Sequence, residues 1–109
     1  MYTLDTNAII YYLKGDKDVA GIFRDIFSRA VPIYISAVTE LELFSFQSLS
    51  SQELENIDNI LKTVVTISLD SRMARIGGSL RRQHRLKVPD SIIAATAMLT
   101  GTTLLTRNI

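Results

Sequence analysis

A chain of 109 residues and 12.2 kDa, 47% apolar and 21% charged, has the composition of one globular domain over residues 1–109, not of a disordered segment. Twelve Lys and Arg against 11 Asp and Glu leave a net charge of +1, so no global imbalance points to nucleic acid or to a membrane surface. The absence of cysteine excludes disulfides, thiolate metal sites and cysteine nucleophiles, and fits a reducing compartment.

Residues 2–4 are a short β-prone run ending at Asp5, with no secretory signal at the start. Positions 7–14 read as a helix stopped by Gly15. Val19, Ile22, Phe23, Ile26, Phe27 and Ala30 recur at helical spacing, the clearest amphipathic helix of the chain, and Pro32 ends it. Ile33, Tyr34 and Ile35 read as a buried strand, after which Ser36 opens a helix to about Phe46. Ser50 with Glu53 three residues on is a capping box, and Leu54, Ile57, Ile60 and Leu61 follow on one face. The β-branched positions 64–67 read as a strand. Positions 72–85 read as a helix weakened by Gly77 and Gly78. Pro89 fits the first turn of a further helix to about Leu99, which Gly101 closes, and residues 102–106 form a last strand. The longest uncharged stretch, residues 91–106, is too short to span a bilayer, so a cytoplasmic protein without membrane contact is expected. Short strands alternating with helices predict an α/β fold: a parallel sheet with helices on both faces and ligands at the carboxyl ends of its strands.

Three acids fall where that rule wants them. Asp5 ends the first strand, Glu42 lies on the helix after the second, and Asp90 opens the helix after Pro89. Each has a purely structural reading: Asp5 and Asp90 as helix-start acids, Glu42 as a solvated helix residue diluted by its neighbour Glu40. Together they place carboxylates from three separate elements at one sheet edge. There, mutual repulsion favours a cation, and hard oxygen ligands suit Mg²⁺ or Mn²⁺. The single histidine, His84, has no Cys partner, so zinc is not expected. Neither a nucleophile elbow nor a glycine-rich phosphate loop is present.

The run Leu4-Asp5-Thr6-Asn7 resembles the opening motif of PIN-domain ribonucleases. Ser36-Ala37-Val38-Thr39 with Glu42-Leu43 resembles their second motif, Pro89-Asp90-Ser91-Ile92-Ile93-Ala94-Ala95-Thr96-Ala97 the third, and Leu104-Leu105-Thr106-Arg107-Asn108 the fourth. The four stand in family order across essentially the whole chain, and the VapC-like toxins are the most similar subgroup. The resemblance implies a three-layer α/β/α sandwich around a mainly parallel sheet of four to five short strands. It implies a Mg²⁺- or Mn²⁺-dependent endoribonuclease whose metal site is Asp5, Glu42 and Asp90, supported by Thr6, Asn7, Thr106 and Asn108. It further implies a cognate antitoxin, a homodimer and an RNA substrate. The family carries a fourth acid in or just after the last motif. Here Asn108 stands there and the sequence ends at Ile109, so a C-terminal end that is either truncated or naturally short is expected.

Six Lys and Arg fall between positions 71 and 89 with no acid among them. They read either as a solvated helix face or as a phosphate-binding wall leading to Asp90, with Arg81, Arg82 and Arg85 as the RNA contacts. All four phenylalanines, Phe23, Phe27, Phe44 and Phe46, lie in two helical segments. They either fill one core or leave an apolar face for a partner helix. A haloacid-dehalogenase reading of Asp5 fails because Asn7 stands where a second Asp is needed. A catalytically impaired PIN-like module that binds RNA or a partner is the alternative function.

Overall fold

The computed structural model describes residues 1–106. Four strands and six helices alternate: β1 (Tyr2–Leu4), α1 (Thr6–Leu13), α2 (Lys17–Ser28), β2 (Ile33–Ser36), α3 (Ala37–Leu43), α4 (Ser51–Leu61), β3 (Val65–Ile67), α5 (Ser71–His84), α6 (Val88–Thr100) and β4 (Thr103–Leu105). The strands are all parallel in the order β3-β2-β1-β4, with Tyr2 opposite both Ile33 and Thr103. Parallel neighbours cannot be joined by hairpins, so every connection crosses over through a helix.

Local chemistry starts the helices. Asp5, Asp16, Ser36, Ser50 and Asp70 each cap a first turn through the side chain, and Ser50 with Glu53 closes the capping box read from the sequence. Two helix ends differ from expectation. α2 stops at Ser28, ahead of Ala30, because Arg29 is already extended and the Ser28 hydroxyl donates to the Asp25 carbonyl at 2.6 Å. α3 stops at Leu43 and does not reach Phe46. There the Ser45 hydroxyl donates to the Leu41 carbonyl at 2.6 Å, and the Ser45 N–H tightens back onto Glu42 at 3.2 Å.

Two apolar clusters flank the sheet. Leu4, Ile33 and Ile35 join Ile9, Phe23 and Ile57, which seats α1, α2 and α4 on one side. Met73, Ile92 and Ala95 join α5 to α6, which packs on β1 and β2. The result is the helix–sheet–helix layering the sequence implies. Only Phe23 of the four phenylalanines is fully buried; Phe44 and Phe46 are exposed. No helix among the described residues is long and apolar enough to cross a membrane.

The α5–α6 seam depends on the absence of a side chain. A Cβ on Gly77 would stand 2.6 Å from Ile92 Cδ1, whereas one on Gly78 would meet nothing within 4 Å. Both positions carry the same helix-propensity penalty, about 1 kcal/mol relative to alanine. Gly78→Ala should therefore stabilise by about 1 kcal/mol. Gly77→Ala should fall short of it by roughly 1–3 kcal/mol, the cost of overpacking a buried seam. Urea midpoints of the two variants check this, and equal midpoints would contradict the close approach.

Candidate active site

β1 delivers Asp5 to the carboxyl edge of the sheet. The Asp5 N–H donates to the Leu105 carbonyl at 3.0 Å, which ties the residue to β4, and its Oδ1 accepts the Ala8 N–H at 2.8 Å, which starts α1. The cap reading and the site reading of Asp5 are therefore compatible: one carboxylate oxygen caps and the other is free of that bond. Thr6 is buried, and its hydroxyl donates to Glu42 Oε1 at 2.6 Å while lying 3.1 Å from the hydroxyl of the fully buried Thr39. The α1–α3 contact thus fixes Glu42 through a charge-assisted hydrogen bond. Asp90 sits in the first turn of α6, where the helix dipole favours a negative charge. Its side chain makes no hydrogen bond or ion pair within the described residues.

Asp5, Glu42 and Asp90 line one cleft of about 560 Å³, together with Asn7 and Lys87. Glu40 is not among its lining residues. It lies about 200° round the helix from Glu42, given 3.6 residues per turn. All three carboxylates supply hard oxygen donors, with no thiolate or imidazole beside them, a set that suits Mg²⁺ or Mn²⁺. They do not crowd as their convergence on one edge leads one to expect. Among the described residues, no three His, Cys, Asp or Glu side chains stand close enough to hold one ion as they are. Each acid is held apart by its own element. The donor chemistry still fits Mg²⁺, which keeps several waters and takes one or two carboxylates directly.

The supporting residues divide. Thr6 and Asn7 line the cleft, and Thr106 is exposed just past Leu105. Asn108 lies outside the described residues. Arg81, Arg82 and Arg85 are exposed at the end of α5 and do not line the cleft, although Arg85 is only two positions before Lys87. Arg85 closes the helix in the left-handed region at φ 54°, a conformation a glycine takes more readily.

Two cleft residues are not singled out by sequence reasoning. Lys87 is one of six cations in the basic run, and its place next to the helix that carries Asp90 is the available signal. Phe46 reads as part of a helix face, and the early end of α3 turns it toward the cleft wall instead. Phe46 and Ile10 also line a second, apolar cavity of about 520 Å³, which Leu13, Leu49 and Ile57 complete between α1 and α4.

Residues 2–109 match the family described as PIN domain. Ribonuclease VapC19 of Mycobacterium tuberculosis is 28% identical over 114 aligned positions, covering 100% of this chain and 90% of the relative. A toxin-antitoxin complex from Klebsiella pneumoniae contains a chain of like fold. Its TM-score is 0.84 at 27% identity, covering 99% of this chain and 87% of that one. VapBC-1 from nontypeable Haemophilus influenzae gives a TM-score of 0.72 at 27% identity over 98% of this chain and 86% of that one.

The double duty of Asp5 can be separated. Asparagine caps as well as aspartate, so Asp5→Asn should change unfolding free energy by less than about 0.5 kcal/mol, whereas Asp5→Ala should lose about 1 kcal/mol. Denaturant titrations of the pair measure this, and an Asp5→Asn loss as large as that of Asp5→Ala would mean that the charge itself holds the fold.

Proposed function

Since the chain belongs to the PIN-domain family, we propose that it is an endoribonuclease, dependent on Mg²⁺ or Mn²⁺, that hydrolyses RNA phosphodiester bonds. We place it in the cytoplasm as the toxin of a prokaryotic toxin–antitoxin pair, with residues 1–109 acting as one domain. The observation that carries this reading is the arrival of Asp5, Glu42 and Asp90, from three different elements, in one cleft. The relative named as a ribonuclease and the neighbours described as toxin–antitoxin proteins support it. With all three acids present, nothing favours the non-cleaving alternative.

Asp5 and Asp90 would hold the divalent ion, directly or through water, and Glu42 would either ligate it or orient the attacking water. When bound, such an ion lowers the pKa of water and neutralises charge developing on the phosphate. Thr6 serves by donating to one Glu42 oxygen, which fixes the rotamer and leaves the other oxygen to accept from water. Asn7 offers a neutral donor and acceptor on the same wall. The exposed arginines Arg81, Arg82 and Arg85 would guide the RNA backbone toward Lys87 and the cleft. The apolar cavity between α1 and α4 would take a helix of the antitoxin. The outer face of α3, where Leu41 is 64% exposed beside Phe44, would meet a second copy in a homodimer.

Cleavage of bulk RNA should require added Mn²⁺ or Mg²⁺ and stop with EDTA. Asp5→Asn, Asp90→Asn and Glu42→Gln should each lower the rate at least about 100-fold, the scale on which one charge-stabilising group acts. Glu40→Gln should be near silent. Wild-type cleavage by Asp5→Asn in Mg²⁺ would remove the metal-site assignment.

A second test concerns the arginines. Replacing Arg81, Arg82 and Arg85 with alanine should raise KM and keep kcat. It should also flatten the slope of log K against log salt by about 0.7 for each single-strand phosphate that is no longer neutralised. An unchanged slope would return them to a solvated helix end, where cations also suit the dipole.

A further inference from the structure

Phe46 stands between two cavities, the apolar one between α1 and α4 and the acid cleft. It is 53% exposed, lies beyond the end of α3, and is the one aromatic among the described residues that lines the acid cleft. Lys87 is the one cation among them that lines the same cleft, and its ammonium has no ion pair or hydrogen bond within the described residues. On the cleft side the neighbours of Phe46 include three carboxylates and a lysine, which a purely apolar partner helix in the other cavity does not match. A nucleotide, by contrast, presents an apolar π-face and an anion within one residue's length.

We infer that Phe46 and Lys87 form a nucleotide subsite beside the carboxylates: an unpaired base stacks on the Phe46 ring while an adjoining phosphate meets the Lys87 ammonium. This rests on the ribonuclease reading and adds to it a contact that only an unpaired base can make, because the bases of a duplex are already stacked on one another and cannot lie on a side chain. Arg81, Arg82 and Arg85 can bind only backbone or stack as guanidinium planes outside the cleft, so Phe46 supplies what the basic segment lacks. Base–aromatic stacking tolerates any base, so the subsite selects for strandedness and not for sequence.

The chain contains no tryptophan, so Phe46→Trp introduces its only indole. With EDTA present to prevent cleavage, a short single-stranded RNA should quench that indole's fluorescence. Duplex RNA and an abasic sugar–phosphate strand of equal length should not. Lys87→Met in the Phe46→Trp background should weaken the titration at least fivefold, and Lys87→Arg should restore it. In cleavage assays with metal, Phe46→Leu should raise KM at least about fivefold, the lower end of what one stack contributes, with kcat within twofold. Phe46→Trp should return KM to the wild-type range. Unchanged KM in Phe46→Leu, or equal quenching by abasic and base-bearing strands, would overturn the subsite. The two readings fail differently. A wild-type chain that never cleaves, while single strands still quench Phe46→Trp, loses the ribonuclease reading and keeps the subsite. A wild type that cleaves, with Phe46→Leu indistinguishable from it, keeps the ribonuclease and loses the subsite.

Discussion

β1 is hydrogen-bonded on both edges, by β2 and by β4, and its residues Thr3 and Leu4 have no exposed surface. A three-residue strand fixed on every side has one orientation, and its carboxyl end points one way. Asp5 comes next in the chain, so the position of the first acid is set by the most constrained element of the fold. α1 starts on that same aspartate, and Thr6, one residue later, reaches α3 to hold Glu42. Two of the three acids thus take their places from a single strand end. The third comes from α6, whose contacts with β1 and β2 bring Asp90 to the same edge.

Each acid has its own structural setting at the edge. Asp5 accepts a backbone N–H, Glu42 accepts a hydroxyl proton, and Asp90 meets the positive end of a helix. Negative charge can then collect on one wall without any one carboxylate bearing the whole cost of its neighbours. This arrangement suits hydrolysis of a phosphodiester, whose approach a dense anionic cluster without a cation would oppose.

Element types are legible in the sequence because the local rules agree with one another. Ser50 and Glu53 announce a helix start, Val64 to Ile67 are β-branched, and Pro89 with Asp90 and Gly101 bracket α6. The convergence of Asp5, Glu42 and Asp90 is legible from topology, since Asp5 follows β1, Asp90 opens α6, and Glu42 lies on the short helix that follows β2. Side-chain competition at helix ends is not legible. Ser45 ends α3 by bonding back to Leu41, and periodicity alone carries Phe46 on as helix. That short departure decides whether an aromatic ring faces a core, a partner or the cleft. Lys87 is hidden differently: in a run of six cations, charge says nothing about which one the tertiary fold sets beside the acids.

The pairing of β1 with β4 also bears on how the molecule comes into being. Thr3 and Thr102 share a hydroxyl contact across 99 positions of sequence, and Asp5 is tied to Leu105 through the backbone. Contacts between residues so distant in the chain cost loop-closure entropy before they return any stabilisation, which slows folding relative to helical bundles of equal size. Synthesis runs from the N-terminus, so the central strand emerges first and waits for its second neighbour until nearly all of the described chain has left the ribosome. The wall that carries Asp5 is therefore among the last parts of the molecule to become ordered, and a nascent chain lacks the assembled cleft until β4 docks.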